Sequence, residues 1–172
     1  AGKGRLIYNT LATPKGREFK IVLPDGTVAW LNSASSIRYP IRFDTKERLV
    51  YITGEVYFVV ASTMNAVEPG ARPNKKIPFL VKINTPAGNA GTLEVLGTHF
   101  NIDAYENVYR ATLQEGSVRV TSEVGSRRSG NQPSDPGHQT SVVLKPNQQA
   151  IVSPNAPLSI DRSPNIDKIM AW

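Results

Sequence analysis

Apolar and polar residues alternate with a period of two along five stretches of the chain. Alternation places the apolar set on one face of a strand, and the residue types suit a pleated surface. The apolar sets are Phe19, Ile21 and Leu23; Val56, Phe58 and Val60; Phe79, Val81 and Ile83; Phe100, Ile102 and Ala104; and Val118 and Val120. The pattern predicts an all-β fold whose core face carries these side chains.

Turn residues separate the predicted strands. Pro-Asp-Gly at positions 24–26 predicts a hairpin between residues 17–23 and 27–32. A weak repeat of strand, glycine corner and strand recurs at 52–58, 96–100 and 113–118, which suggests a sheet that folds over on itself. A two-sheet roll or sandwich and a short β-solenoid both fit. The glycines expected to be critical for these turns are Gly26, Gly54, Gly97 and Gly116.

The chain divides into three parts by composition. Residues 1–16 read as a lead-in strand, 17–160 as the β-domain with long loops at 62–77 and 122–141, and 161–172 as the start of a connection to another domain. In this last part Ser163 is a suitable helix N-cap and Pro164 a suitable first helical residue, so a short helical segment is expected.

The apolar side chains of this last part have no evident partner in the sequence. Ile166, Ile169, Met170 and Trp172 must pack on the sheet, on a partner or on a further domain, because so short a helix is unstable alone. We expect these four residues to form a protein contact.

Composition narrows the function classes. The chain has 172 residues, no cysteine and a formal net charge of +6. The absence of cysteine excludes thiolate catalysis, disulfides and Cys-type zinc sites. The basic residues are scattered, with pairs only at 75–76 and 127–128, so we expect a solvated surface rather than a nucleic-acid site. The longest apolar run, Val56–Ala61, is too short to span a membrane. The start of this sequence has no apolar stretch of the signal-peptide kind, so we expect any segment for export or anchoring to have been removed or to lie outside this sequence.

Residues suited to catalysis are sparse. Of the two histidines, His138 falls in a loop-like segment, and His99 shares a strand face with Asn101 and Asp103. Four residues of strand separate His99 from Asp103 by about 13 Å, so this face is interpreted as a solvated one. No nucleophile elbow, phosphate loop or calcium loop is present. We expect no enzyme activity, no catalytic residues, no metal and no cofactor.

The aromatic residues allow two interpretations. Trp30, Tyr57, Phe58, Phe79 and Phe100 could form a sugar-binding platform, but such residues more often fill a core. We expect them in the core. Partial exposure is expected for the tyrosines whose hydroxyl needs a polar partner, namely Tyr39, Tyr51, Tyr57 and Tyr105.

The order of segments resembles a known family. The chain carries, in sequence, Thr-Val-Ala-Trp-Leu-Asn at 27–32, Thr-Gly-Glu-Val-Tyr-Phe at 53–58, Val-Leu-Gly-Thr-His-Phe-Asn at 95–101, Leu-Gln-Glu-Gly-Ser-Val at 113–118 and Leu-Lys-Pro-Asn-Gln-Gln-Ala at 144–150. This set closely resembles the FecR family of anti-sigma factors, in the form common in Bacteroidota, over residues 5–172. The loops at 62–77 and 122–141 look longer than usual, and Asn147-Gln148-Gln149 replaces the commoner Gly-Glu-Gln.

The resemblance implies a role. Family members are single-pass inner-membrane proteins whose cytoplasmic part holds an extracytoplasmic-function sigma factor. Their periplasmic part carries the FecR domain and a C-terminal domain that docks the signalling domain of a TonB-dependent outer-membrane transporter. This chain would be the periplasmic FecR domain, which contacts proteins and no nucleic acid. The alternative is a carbohydrate-binding β-domain that stacks exposed Tyr and Trp on sugar.

Overall fold

The computed structural model describes residues 4–63, 75–123 and 141–172, in which thirteen strands and one short helix are found. The predicted loops at 62–77 and 122–141 lie mostly outside these ranges, as do His138 and the basic pair at 127–128. The all-β prediction with a short C-terminal helical segment is confirmed.

The strands form one sheet that divides into two halves, which share β5 (Arg48–Val59). Half-sheet A has the order β1 (Tyr8–Ala12), β4 (Ser36–Pro40), β5, β6 (Phe79–Thr85), β7 (Gly88–Val95), β10 (Val118–Ser122) and β11 (Ser141–Leu144). Half-sheet B has the order β2 (Phe19–Val22), β3 (Val28–Leu31), β5, β8 (His99–Ala104), β9 (Tyr109–Glu115), β12 (Gln148–Ser153) and β13 (Ala156–Asp161). All of these pairings are antiparallel except that of β5 with β6.

Gly54 marks the point where β5 passes from one half-sheet to the other. Arg48–Ile52 pair with β6, and Gly54–Val59 pair with β8. Gly54 has a φ of +76°, and a Cβ built on it would lie 2.8 Å from the Cα of Ser35. Both the left-handed backbone and this close approach require glycine. The predicted glycine corner is therefore a bend within one continuous strand.

The two half-sheets enclose a common core, so the fold is a roll. Buried residues of both halves belong to one cluster. The rings of Phe58 in half-sheet B and Phe79 in half-sheet A meet edge to face at 5.7 Å. The inward residues from half-sheet A include Ile37, Val50, Ile52, Phe79, Val81, Ile83, Leu93 and Val118, and those from half-sheet B include Leu31, Val56, Phe58, Phe100, Ile102 and Leu113.

The alternation pattern is confirmed except at one end. The apolar sets of β5, β6, β8 and β10 are buried, but Phe19, predicted to face the core, is 40% exposed. Phe19 lies on β2, an edge strand with β3 as its neighbour, where little of the core remains to cover it. The hairpin is confirmed with shorter strands, since Val22 pairs with Val28 and Gly26 has a φ of +88°.

The other two predicted corners connect the half-sheets. The chain passes from β7 to β8 at Leu96–Thr98 and from β9 to β10 at Gly116. A Cβ on Gly116 would lie 2.5 Å from Cγ2 of Thr98, so the two corners are in close contact. Gly97 is less constrained, because its Cβ would meet Ser62 at 3.4 Å.

A buried ion pair joins the ends of the half-sheets. Arg48 Nη1 donates to Asp25 Oδ2 at 2.7 Å, and the two side chains are 1% and 4% exposed. The same guanidinium donates to the carbonyls of Ala61 and Ile77, at 2.6 and 2.8 Å. Asp25 also accepts bonds from the N–H and hydroxyl of Thr27. The turn between β2 and β3 is thereby fixed to the start of β5.

The C-terminal helix is one turn, α1 (Ile166–Ile169), and its cap differs from the prediction. Asn165, not Ser163, is the N-cap, since its Oδ1 accepts the N–H of Lys168 at 2.9 Å. The N–H of Ser163 instead donates to Asp161 Oδ1 at 2.9 Å, which ends β13 in a turn and delays the helix by two residues. Within the described ranges, no helix is long and apolar enough to cross a membrane.

Candidate functional site

A row of side chains crosses the outer face of half-sheet B, the side away from the core. The strand registers align Lys20, Trp30, Tyr57, Asn101, Thr112, Gln149 and Asp161 from one edge to the other. The row is aromatic near β3 and β5 and polar from β8 onward. Residues 164–172, here called the tail, fold back over the polar part.

Three polar residues beneath the tail are buried although they point away from the core. Asn101 and Thr112 are each 1% exposed, and Gln149 is 7% exposed. Gln149 Nε2 donates to Thr112 Oγ1 at 2.8 Å, and Asn101 Nδ2 donates to Glu55 Oε1 at 3.0 Å. These three residues, here called the polar floor, are linked to neighbouring strands by side-chain hydrogen bonds.

One acceptor of the polar floor has no partner in the described part of the chain. Asn101 Oδ1 is buried and makes no hydrogen bond there. The Glu55 carboxylate accepts from Asn101 on one oxygen and from Asn32 Nδ2 on the other, at 3.0 Å each, which fixes the amide with its nitrogen toward Glu55. A buried acceptor without a donor costs about 1–3 kcal/mol. The covered floor therefore carries one unfavourable polar contribution.

A groove of about 480 Å³ lies between the tail and the polar floor. Its charged side chains are Glu55, Asp103, Arg110, Asp161 and Lys168. Three acidic and two basic groups nearly balance, so no strong field selects a charged ligand. The groove has the volume of a small-molecule site and mixes hydrogen-bond donors with acceptors.

A second cleft of about 280 Å³ lies beside the groove, where Met170 and Trp172 face Trp30 and Tyr57. The rings of Trp30 and Tyr57 lie 5.5 Å apart, and the Tyr57 hydroxyl donates to Gln114 Oε1 at 2.6 Å. Burial raises the pKa of the Tyr57 phenol, and the nearby Glu115 charge acts in the same direction. Tyr57 is thus a neutral hydrogen-bond donor at physiological pH.

The predicted contact residues are all half-buried. Ile169 and Trp172 line the groove, Met170 and Trp172 line the cleft, and Ile166 lines neither. The sequence left three surfaces open for these side chains: the sheet, a partner or a further domain. Those that line the groove and the cleft lie against the chain's own sheet.

The aromatic prediction is correct for part of its set. Phe58, Phe79 and Phe100 are fully buried, whereas Trp30 and Tyr57 lie on the outer face and are half-exposed. The partial exposure expected for Tyr39, Tyr51, Tyr57 and Tyr105 is confirmed.

Sequence reasoning missed the polar floor. The face of His99, Asn101 and Asp103 was expected to be solvated, which is wrong at Asn101 because the tail covers it. The sequence feature that could have indicated this burial is the tail, because its apolar residues need a surface on which to pack. Pairing of Thr112 with Gln149, 37 residues apart, left no local trace.

The side chains at this site can bind a ligand through hydrogen bonds, charge and aromatic contact. The side chains that meet at the groove and cleft are amides, carboxylates, cations and aromatic rings. Among the residues placed by the structure, no cluster of three or more His, Asp or Glu could hold a metal ion.

Comparison with known proteins gives a consistent result. The FecR protein family matches residues 9–119, which run from β1 into β10. Crystal structures of candidate anti-sigma factors from Parabacteroides distasonis ATCC 8503 match with TM-scores of 0.73 and 0.72 at 25% and 26% identity. They cover 96% and 95% of this chain, which spans 64% of each solved chain. A search of curated proteins found no match.

Proposed function

This chain belongs to the FecR protein family, and from that premise we propose that it is the periplasmic signalling domain of a transmembrane anti-sigma factor. The full-length protein regulates an extracytoplasmic-function sigma factor in response to a TonB-dependent outer-membrane transporter. The transporter's signalling domain contacts the periplasmic side, and a cytoplasmic part outside this chain holds the sigma factor. The domain acts by binding and carries no catalytic residues.

The likeness to the candidate anti-sigma factors carries this proposal. It extends over 96% of the chain, well beyond the 9–119 range of the family match. This chain spans 64% of those structures. We therefore propose, and do not observe, the contacts of the whole protein with a sigma factor and a transporter.

The geometry suits a domain that relays a contact. The two half-sheets are connected at two places, since both pair with β5 and the Arg48–Asp25 ion pair joins their ends. No residue of α1 is buried, so the tail is not part of the core. A partner that moves the tail relative to the β-roll would therefore change the position of the roll's attachment to the rest of the full-length protein.

The contact patch is testable in the full-length protein. Ile169→Asp and Met170→Asp together place two charges on the apolar side of the tail, which we expect to abolish induction of the sigma-dependent transcripts measured by RNA sequencing. Val143→Asp, on an exposed apolar residue of β11, is the matched control and keeps normal induction. Unchanged repression and induction in the tail variant would remove these residues from the mechanism. Deleting the gene must change the same transcripts, or the anti-sigma role itself is wrong.

A second function has one observation in its favour. The groove holds amides, carboxylates and Trp172 in nearly balanced charge, a set that suits a neutral ligand with many hydroxyl groups. A carbohydrate-binding domain would use it. Calorimetry of this chain against neutral mono- and disaccharides decides the matter: saturable binding that Trp172→Ala abolishes supports the sugar site, and no heat at millimolar sugar excludes it.

A further inference from the structure

We infer that the tail is a displaceable strap on the outer face of half-sheet B, and that a protein partner binding Ile169, Met170 and Trp172 must compete with this face for the same side chains. The competition rests on the proposed function, because it needs a partner that takes the tail. Displaceability is a property of this chain alone and is measured without the partner.

The hydrogen bonds of the tail are all local. Ile169 N–H donates to the Asn165 carbonyl at 3.1 Å, and Met170 N–H donates to the Ile166 carbonyl at 2.9 Å. The cap bond from Lys168 N–H to Asn165 Oδ1 is local as well. Within the described ranges, no hydrogen bond or ion pair joins residues 164–172 to the sheet. Lifting the tail therefore breaks no direct hydrogen bond or ion pair with the described part of the sheet.

Space remains between parts of the tail and the sheet. The groove of about 480 Å³ and the cleft of about 280 Å³ both lie between the two surfaces. Side chains that face such spaces lose the close contacts that stabilise a protein interior. The segment that contains α1 therefore contacts the sheet at a few points and is not part of the core.

The surface beneath the tail favours its release. Asn101, Thr112 and Gln149 are polar, and Asn101 Oδ1 has no partner among the described residues while the tail covers it. Water would supply that bond once the tail leaves. Against this, half-burial of Ile169, Met170 and Trp172 favours the seated position. These contributions act in opposite directions, so a partner can shift the balance between the seated and the free tail.

The seated position and the partner complex exclude each other. The three apolar side chains that line the groove and the cleft are those that a partner's apolar pocket would take. The apparent affinity for the tail is then reduced by the fraction of molecules in which it is free. A substitution in the sheet that favours the seated tail should weaken partner binding, and one that favours the free tail should strengthen it.

Fluorescence of Trp172 measures the strap directly. The chain has two tryptophans, so Trp30→Phe leaves Trp172 as the single reporter and keeps an aromatic wall in the cleft. Replacing Trp30 by Ala instead removes that wall, and we expect acrylamide quenching of Trp172 to rise about twofold relative to the Phe reference. Thr112→Val with Gln149→Leu, added to the Phe reference, replaces a hydrogen-bonded pair by apolar groups of similar shape. It should lower quenching about twofold, because the tail then rests on an apolar floor. Tyr51→Ala on the outer face of half-sheet A, in the Phe reference, is the control and leaves quenching unchanged.

The outcomes separate the strap from the proposed function. Equal quenching in all variants, with circular dichroism showing that each is folded, overturns the strap. In the full-length protein, the Trp30→Ala change should raise induction of sigma-dependent transcripts and the Val/Leu pair should lower it. The opposite order of induction, with quenching as expected, overturns the competition. If transcripts respond to no variant, including Ile169→Asp with Met170→Asp, the proposed function fails while quenching still decides displaceability.

Discussion

The two half-sheets have similar interiors and different outer faces. Tyr51 and Tyr57 point outward from the same strand, one on each half-sheet. On half-sheet A, Arg38 lies over the rings of Tyr8 and Tyr51, at 4.5 and 5.5 Å. All three residues of this cluster belong to half-sheet A. On half-sheet B, Tyr57 pairs with Trp30 and faces the tail across the cleft. The outer face of half-sheet A is therefore exposed to solvent, whereas part of the outer face of half-sheet B is covered by the tail.

The difference shows where regulation can act in such a fold. Residues in the middle of the outer row of half-sheet A, such as Lys82, Thr92 and Thr121, are half-exposed and already meet water. The corresponding Asn101 and Thr112 on half-sheet B are buried by residues from the end of the chain. Moving the tail changes the hydration of half-sheet B and leaves half-sheet A as it was. The following variants test this contrast, beginning with the rigid connection on which it depends.

Arg48→Met should have the largest effect, because it removes the cation that links the two half-sheets. The change leaves the Asp25 carboxylate and the carbonyls of Ala61 and Ile77 without their shared donor. Breaking one side of a buried ion pair costs about 3–5 kcal/mol. Urea unfolding measures this loss.

Arg38→Met is the matched control, since Arg38 is an exposed cation on the outer face of half-sheet A. It should cost about 1 kcal/mol or less. Equal losses in the two variants would mean that Arg48 does not connect the halves. Two unfolding transitions for Arg48→Met would show that the half-sheets unfold separately.

The sequence predicted the strands better than the links between them. Alternation located β5, β6, β8 and β10 because one buried face leaves a regular signal. Arg48 left no signal, since a lone arginine at the start of a strand is usually solvated and its partner Asp25 lies 23 residues away. The polar floor was missed for the same reason, as burial of Asn101 depends on residues near position 170.

Gly54→Ala should have the next largest effect, because it strains the bend shared by the half-sheets. The added methyl meets Ser35 and forces an alanine to a φ of +76°. The left-handed backbone costs about 1–2 kcal/mol and the overlap about 1–3 kcal/mol more. Gly16→Ala separates the two terms, since Gly16 has the same φ of +76° with nothing within 4 Å of its Cβ. The two free energies of unfolding must differ by the overlap term, and equal losses would refute the close approach of Ser35.

Tyr51→Ala and Tyr57→Ala compare the outer faces directly. Tyr51 loses its contacts with Tyr8 and Arg38, and Tyr57 loses its contact with Trp30 and its bond to Gln114. Each should cost about 1–2 kcal/mol of stability. Tyr57→Ala alone should shift tryptophan emission to longer wavelength, because both tryptophans line the cleft. An equal shift in Tyr51→Ala would contradict the independence of the faces.

Tyr109→Phe should have the smallest effect at neutral pH, and it tests the shared interior. Tyr109 starts from β9 in half-sheet B, and its hydroxyl occupies the space that a Cβ at Gly91 in half-sheet A would need. That hydroxyl is buried and has no hydrogen-bond partner in the described ranges. Its removal should stabilise the protein by about 1 kcal/mol. Tyr105→Phe is the contrasting control and should destabilise, because its exposed hydroxyl donates to the Ser33 carbonyl.

The pH dependence of the same variant follows from the sign of the pKa shift. Burial raises the pKa of Tyr109 well above its ordinary value, and the Glu123 charge adds to the shift. The unfolded chain therefore ionises first, so the native state keeps its full stability below about pH 10 and loses it as pH rises further. Urea unfolding at about pH 7 and pH 11 should show a larger advantage of Tyr109→Phe over the wild type at the higher pH. An advantage that shrinks there would mean that the hydroxyl between the half-sheets reaches water, and that the interior is less closed than the outer face beneath the tail.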